Sequence, residues 1–167
     1  MKRMSLAFWV LVVGVAVGVG QTALFGPLLP ARVASHFGAD GRANGFMERA
    51  AFLQTHLVIT VVVAALFAAI ALGTTRVPTA GLNLPHKEYW LSEERRDQTL
   101  AYLRDRFLAF GAATLALLAC SMQAVYEANL HGAETLGAGA RIALVCYLLY
   151  TVVWSVALVQ RFSRLPS

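Results

Sequence analysis

The chain has 167 residues, of which 58% are hydrophobic and only 14% charged, against about 25% charged residues in an ordinary soluble domain. Such a composition has too little polar surface to cover a water-soluble globule. The formal net charge of +5 arises from 14 Lys and Arg against 9 Asp and Glu, and the basic residues fall almost wholly between apolar stretches, so the excess reads as membrane topology and not as nucleic-acid binding.

Four stretches carry no Asp, Glu, Lys or Arg: Met4 to Ala31, Ala50 to Thr75, Phe107 to Tyr126 and Ile142 to Gln160, the shortest of 19 residues. An α-helix rises about 1.5 Å per residue, so roughly 20 residues cross a hydrocarbon core of about 30 Å. The predicted fold is all-α, a four-helix transmembrane bundle forming one membrane domain over residues 1–167. Its helices are placed at about 5–26, 51–75, 93–129 and 139–161, with a turn-rich outer loop at 27–50 and an inner loop at 76–92.

The first helix ends at Pro27 and Pro30, which cannot donate a backbone hydrogen bond. Lys2 and Arg3 before an apolar run, with Gly18-Val19-Gly20 behind it, resemble a signal peptide, but apolar sequence continues through Leu28 and predicts a retained anchor. Gly14 and Gly18 form a small-xxx-small pair. Ala65, Ala69 and Gly73 repeat that spacing in the second helix, and Ala112, Ala116 and, offset, Ala119 in the third. Such residues mark faces where membrane helices approach closely.

In the outer loop, Asp40-Gly41 and Asn44-Gly45 are two turn signals, and Val33 to Phe37 alternates as a short extended piece, which predicts a compact hairpin-like loop. In the inner loop, Pro78, Gly81 and Pro85 make Val77 to His86 irregular. Ser92 is the expected N-cap of an amphipathic extension of helix three, with Glu93 and Glu94 facing the positive end of its dipole and Leu100, Leu103, Phe107 and Phe110 on one face. Tyr89 and Trp90 are expected in the interfacial aromatic belt. Cys120 and Cys146 lie at nearly equal depth, which leaves contact open, yet they show no metal-ligand spacing and are expected to be small buried hydrophobes.

Orientation follows from the basic residues. Ten of them (Lys2, Arg3, Arg76, Lys87, Arg95, Arg96, Arg104, Arg106, Arg161, Arg164) fall on the side of the chain ends and four (Arg32, Arg42, Arg49, Arg141) on the other. The expected localisation is a bacterial inner (cytoplasmic) membrane with both termini cytoplasmic.

Polar residues inside the spans are the candidates for chemistry, because an unsatisfied polar group in hydrocarbon costs several kcal/mol. Gln21, His56 and Gln123 fall in one outer layer, and Gln123, Glu127 and His131, four residues apart, share a helix face beneath the loop that carries His36 and Asp40. One reading is an outward-opening polar pocket built from His36, Asp40, His56, Glu127 and His131. The other is structural: His56 and the glutamines satisfy one another or backbone carbonyls while Glu127 and His131 reach water. There is no phosphate-binding Gly-Lys-Ser/Thr loop, no His-Glu-x-x-His and no Gly-x-Ser-x-Gly, so the expectation is a non-enzymatic protein with no cofactor and no metal. Glu93 to Asp97 is read as a solvated charge run.

Leu29-Pro-Ala-Arg-Val-Ala-Ser-His-Phe-Gly-Ala-Asp-Gly-Arg-Ala-Asn-Gly-Phe resembles the Leu-Pro-x-x-Val/Ile-x-x-His-Phe-x-x-x-Gly motif of a bacterial membrane family that includes the SdpI-type toxin-immunity proteins, and the inner segment Asn83-Leu-Pro-His-Lys-Glu-Tyr-Trp-Leu-Ser-Glu-Glu-Arg-Arg resembles a stretch of its stand-alone members. Members often carry Asp at the position of Asn44 and Lys at that of Arg49, and SdpI-type proteins have further membrane helices. The concentration of polar and turn-forming residues at one mouth of an apolar bundle leads to the expectation of an SdpI-like protein that recognises a peptide, lipid or protein partner at its outer face, and the Gly14/Gly18 face with the inner amphipathic helix supports the rival reading of an accessory subunit of a larger membrane complex or transporter. Candidate binding residues are His36, Phe37, Asp40, Gly41, Asn44, Phe46, His56, Gln123 and Glu127. The expected partners are membrane lipid and a protein or peptide at the outer loop or along the small-residue helix faces, and no nucleic acid.

Overall fold

A computed structural model describes residues 5–78 and 81–165. Lys2 and Arg3 of the charge distribution and Thr79 and Ala80 of the loop after the second span lie outside the described residues. The elements in chain order are α1 (Leu6–Phe25), a 3-10 turn (Gly26–Leu28), β1 (Arg32–Phe37), β2 (Ala43–Glu48), α2 (Arg49–Thr74), α3 (Lys87–Trp90), α4 (Arg96–Leu130) and α5 (Ala138–Ser163). α1 (extended through the 3-10 turn), α2, α4 and α5 are long and apolar enough to cross a membrane. The protein is an integral, multi-pass, all-α four-helix bundle, with a small hairpin between its first two spans.

α4 is the axis of the bundle. Its 35 residues correspond to about 52 Å of helix, so it runs on well past a hydrocarbon core of about 30 Å. It packs against α1, α2 and α5, whereas α5 touches the bundle mainly through α4. A third of α4's most apolar window is buried and none of α5's, so α5 turns Ile142, Leu149, Val153 and Val159 outward. On a soluble protein that surface would drive aggregation; here it is the face offered to lipid.

Each helix pair of the α1–α2–α4 trio meets over a glycine. A Cβ on Gly14 would stand 3.0 Å from Cβ of Leu115 in α4, one on Gly18 would stand 2.9 Å from Cγ2 of Thr60 in α2, and one on Gly111 would stand 2.5 Å from Cβ of Phe67 in α2. The expected Gly14/Gly18 pair is therefore split between two neighbours. The expected Ala65-Ala69-Gly73 stripe does not face the bundle: Ala65 and Ala69 are exposed, and a Cβ on Gly73 would meet nothing within 4 Å. Ala64, Ala68 and Ala71 face inward instead, around Leu11, Leu108, Ala112 and Leu115. A one-residue error in phase turns a helix by about 100°, which is enough to exchange the lipid face for the packed one.

β1 and β2 pair antiparallel, Val33 opposite Met47 and Ala34 opposite Phe46, with a shift in register at Ser35 that sets His36 opposite Gly45. The turn is closed by Gly41 N–H donating to Gly38 O at 2.9 Å, with Gly41 at φ +81°, the left-handed conformation that glycine adopts without penalty. Only Asp40-Gly41 makes a turn. Asn44-Gly45 lies inside β2, where a side chain on Gly45 would come within 2.8 Å of His36 Cβ.

The hairpin is fastened to the bundle. Asn129 at the end of α4 acts as a piece of extra strand: its Oδ1 accepts from Ala34 N–H at 2.7 Å and its Nδ2 donates to Ala34 O at 3.0 Å. Ala43 N–H donates to Glu134 O at 3.1 Å and Leu136 N–H to Gly41 O at 2.8 Å, so the α4–α5 loop grips the tip. Val33 and Phe52 are buried beside Leu29, Val125 and Tyr126.

At the opposite end, the expected helix start at Ser92 is corrected. Residues 87–90 form the short α3, and α4 begins at Arg96, with Arg95 as its N-cap and no side-chain cap bond. Ser92 contributes its carbonyl, which accepts from Arg95 and Arg96 N–H. Trp90, expected in the interfacial aromatic belt, is 6% exposed and donates its Nε1–H to Phe162 O at 3.2 Å. Cys120 and Cys146 are free thiols, and both are exposed, not buried.

Gly111→Ala should destabilise the detergent-solubilised protein by about 1–3 kcal/mol, the usual cost of overpacking, whereas Gly73→Ala should leave thermal unfolding unchanged. Asn129→Ala strands the Ala34 backbone pair at a cost of about 1–3 kcal/mol. Amide exchange should then rise across Arg32–Phe37 with helix content intact, and unaltered exchange there would contradict the docking role.

Candidate functional site

The end of the bundle that carries the hairpin holds two strings of polar side chains, which start from adjacent residues of α1. In the first, Gln21 donates through Nε2 to Ala119 O at 2.9 Å and to Gln123 Oε1 at 3.1 Å. Gln123 donates in turn to Glu127 Oε1 at 3.0 Å, and Glu127 lies exposed at the helix end. His131 Nδ1 meets the Glu127 carbonyl at 2.8 Å and closes the last turn of α4. The four-residue spacing of 123, 127 and 131 thus joins one hydrogen-bonded ladder, as neighbours on a helix face should.

The second string runs through His56. Its Nδ1 lies 3.2 Å from Thr22 Oγ1 and 3.0 Å from the Tyr126 hydroxyl, while Thr22 Oγ1 also donates to Gly18 O and Thr60 Oγ1 to His56 O. His56 is 2% exposed and Tyr126 fully buried. Whichever tautomer His56 adopts, Nε2 finds no hydrogen-bond partner among the described residues, and neither does Oε1 of Gln21. No hydrogen bond links His56 to the glutamines. The layer foreseen as one cluster is two parallel chains that tie α1 to α4 and α1 and α2 to α4. Interhelical hydrogen bonds in membranes contribute about 0.6 kcal/mol each on average, so these chains set register more than they add strength.

The hairpin lies across this mouth with its side chains sorted by face. Met47 and Phe37 pack toward Leu29, Val33, Phe52, Val125 and Tyr126. Phe37, a candidate binding residue, is therefore a half-buried anchor of the hairpin. His36, Asn44 and Phe46 are exposed. His36 Nδ1 pairs with Asn44 Oδ1 across the strands, which leaves the His36 Nε2 edge outward. Asp40 is used by the turn, its Oδ1 accepting from Arg42 N–H at 3.0 Å, and Gly41 serves the same turn. Phe46 is half exposed, with the Arg32 guanidinium 5.0 Å from its ring centre.

Beside Phe46, an open groove of about 460 Å³ separates the hairpin from the end of α4, lined by Pro30, Ala34, Ala43, Ala128, Asn129 and the loop Gly132 to Glu134. The Arg42–Glu134 ion pair, 2.8 Å and largely exposed, stands at its rim. Among the described residues, His36, Asp40, His56, Glu127 and His131 do not converge, and no three His, Cys, Asp or Glu could share a metal ion. The candidate site is thus an exposed face of His36, Asn44, Phe46, Arg32 and Arg42 with its groove, held to the bundle by Asn129 and the α4–α5 loop, while His56 and the pair Gln123–Glu127 belong to the two separate polar chains between the helices.

Reading the sequence missed Thr22, Tyr126 and Asn129 as parts of this region. Tyr126 closes a charge-free stretch, where a polar tip needs a partner, and Asn129 interrupts the last apolar turn of α4. Those are weak signals, since their partners lie 70 and 95 residues away. A family model described as a domain of unknown function, DUF1648, matches residues 10–60. The match spans most of α1, the hairpin and the first half of α2, so it includes His36, Asn44, Phe46 and His56 and leaves out Gln123 and Glu127. No curated protein and no solved structure matches the chain. The family likeness thus covers just under a third of the chain.

Proposed function

We propose that the protein is a non-enzymatic receptor-like component of a bacterial inner membrane, which recognises a peptide, lipid or protein partner at the hairpin end, in the manner of the SdpI-type proteins. The observation that carries this reading is a hairpin gripped by Asn129 on one strand and by the α4–α5 loop at its tip, yet leaving Phe46, His36 and Asn44 exposed. Rigid display of an aromatic ring beside a groove and an exposed ion pair is the arrangement of an interface hot spot and its rim. The segment involved is the one whose residues resemble the family motif, and it lies inside the matched region.

In this reading the hairpin faces outward and both chain ends face the cytoplasm. Support comes from charge. The hairpin end carries four basic residues (Arg32, Arg42, Arg49, Arg141) and four acidic ones (Asp40, Glu48, Glu127, Glu134), so the whole positive excess belongs to the other end. The rival role, an accessory subunit, draws on a second groove of about 580 Å³ among α1, α4 and α5, floored by Ala109, Ala112, Ala113 and Ala116. Small residues there would admit a partner helix. Native mass measurement after gentle extraction separates the two roles, since a companion chain of fixed stoichiometry belongs only to the second.

With a photo-crosslinking residue at position 46, living cells should yield a discrete adduct that is absent with the same residue at Leu72. His36→Ala should weaken it, because truncating a central contact costs roughly 1–2 kcal/mol. Equal labelling from both positions would refute partner recognition by the hairpin. For orientation, Ala39→Cys should react with a membrane-impermeant maleimide in intact cells, and a tag at the C-terminus only after lysis; the reverse pattern would invert the topology.

A further inference from the structure

At the end opposite the hairpin, aromatic rings and guanidinium groups form a second built region. α3 delivers Tyr89 and Trp90, α4 delivers Tyr102 and Arg106, and α5 delivers Arg161 and Phe162. The rings pack edge to face: Tyr89 against Trp90 at 5.1 Å, Trp90 against Phe162 at 5.4 Å, and Tyr102 against Phe162 at 6.0 Å between centroids. Two indole hydrogen bonds lock the elements together, Trp90 Nε1–H to Phe162 O and Trp154 Nε1–H to Arg106 O, each 3.2 Å.

Two cations are stacked on this platform. The Arg161 guanidinium lies 4.6 Å from the Tyr102 ring centre and 5.2 Å from that of Trp90, and the Arg106 guanidinium lies 5.0 Å from the same Tyr102 ring. Stacking fixes a guanidinium plane while leaving its N–H edge free to bind an anion. Among the described residues, neither Arg106 nor Arg161 forms an ion pair. By contrast Arg104 is neutralised by Asp105 at 2.9 Å, and Arg95, which stacks on Tyr89, has Glu94 at 3.7 Å. Both free cations also sit at a boundary. The charge-free stretch of α4 begins at Phe107, directly after Arg106, and that of α5 ends at Gln160, directly before Arg161. In a bilayer that places both at the depth where hydrocarbon gives way to phosphate.

We infer that Arg106 and Arg161, held on the Tyr102 ring, bind the phosphodiester of an anionic phospholipid. The headgroup must lack a compensating cation of its own, as phosphatidylglycerol does, because this end of the protein already carries a net positive charge. Among the described residues it holds eight basic side chains against five acidic ones. A zwitterionic headgroup would bring its ammonium into that field. This inference does not rest on the function proposed for the hairpin.

The test is native mass spectrometry of the full chain in detergent, with phosphatidylglycerol and phosphatidylcholine added at equal concentration. The wild type should retain phosphatidylglycerol preferentially, and each of Arg106→Gln and Arg161→Gln should reduce that preference about fivefold, the usual effect of one basic residue at a membrane surface. Arg141→Gln, exposed at the other end and outside the hairpin face, should leave it unchanged. Tyr102→Leu keeps both charges but removes the platform and should also lower the preference. Millimolar inorganic phosphate should not displace the lipid. The inference fails if wild type shows no preference, if the Arg141 variant loses it equally, or if free phosphate competes. Circular dichroism of each variant reports folding, and Arg161→Lys, which keeps the charge but not the planar stack, gives a milder substitution that should still weaken retention.

Discussion

In hydrocarbon, apolar side chains gain nothing by leaving lipid for one another, so a membrane bundle coheres only where backbones come close enough for dispersion contacts and hydrogen bonds to accumulate. Three glycines provide that closeness here. Gly14 admits Leu115, Gly18 admits Thr60, and Gly111 admits Phe67. Each glycine serves a different pair among α1, α2 and α4, so the trio closes as a triangle. The position of every polar group at the hairpin end follows, because Gln21 and Thr22 lie within a turn of Gly18, and Thr60 lies one turn from His56.

The polar strings then convert close packing into a defined register. Gln21 cannot reach both Ala119 O and Gln123 unless α1 and α4 stand at one height. His56 cannot meet both Thr22 and Tyr126 unless α2 fits the groove between them. A buried polar group left unpaired in a low-dielectric medium is costly, so slippage by a residue is disfavoured. Asn129 extends the same logic to the hairpin by matching a donor and an acceptor of one strand residue. A two-stranded hairpin alone is marginal in water. Here it is stabilised by a helix end beneath it and a loop at its tip.

The two ends of the bundle differ in chemistry. One presents a neutral, sculpted face with an aromatic ring, an imidazole edge and an exposed ion pair. The other gathers the positive excess and arranges part of it on aromatic rings. Arg42 and Glu134, 64% and 79% exposed, form a pair of the kind worth about 0–1 kcal/mol, so its place at the groove rim suits selectivity better than stability. Among the described residues Arg106 and Arg161 have no such neutralising partner, and their stacking on Tyr102 holds charge in place without cancelling it.

How much of this was legible in the residues follows from the range of the interactions. Four charge-free stretches, prolines after the first and the Asp40-Gly41 turn are local signals, and hydrocarbon admits few structures besides helices, so the span count, the hairpin and the segregation of charge could be read from the residues alone. The ladder Gln123, Glu127, His131 was also visible, because helical periodicity is a property of one segment. Which face of each helix turns inward was settled by packing between segments. Lipid-facing and packed residues are equally apolar, so Ala65 and Ala69 could not be told from Ala64 and Ala68 by composition. Nor could the partners of His56, Asn129 and Trp90 be foreseen, since they are 70, 95 and 72 residues distant. Such pairings exist only after the helices have settled against one another, which is a matter of shape between segments and is written in no one of them.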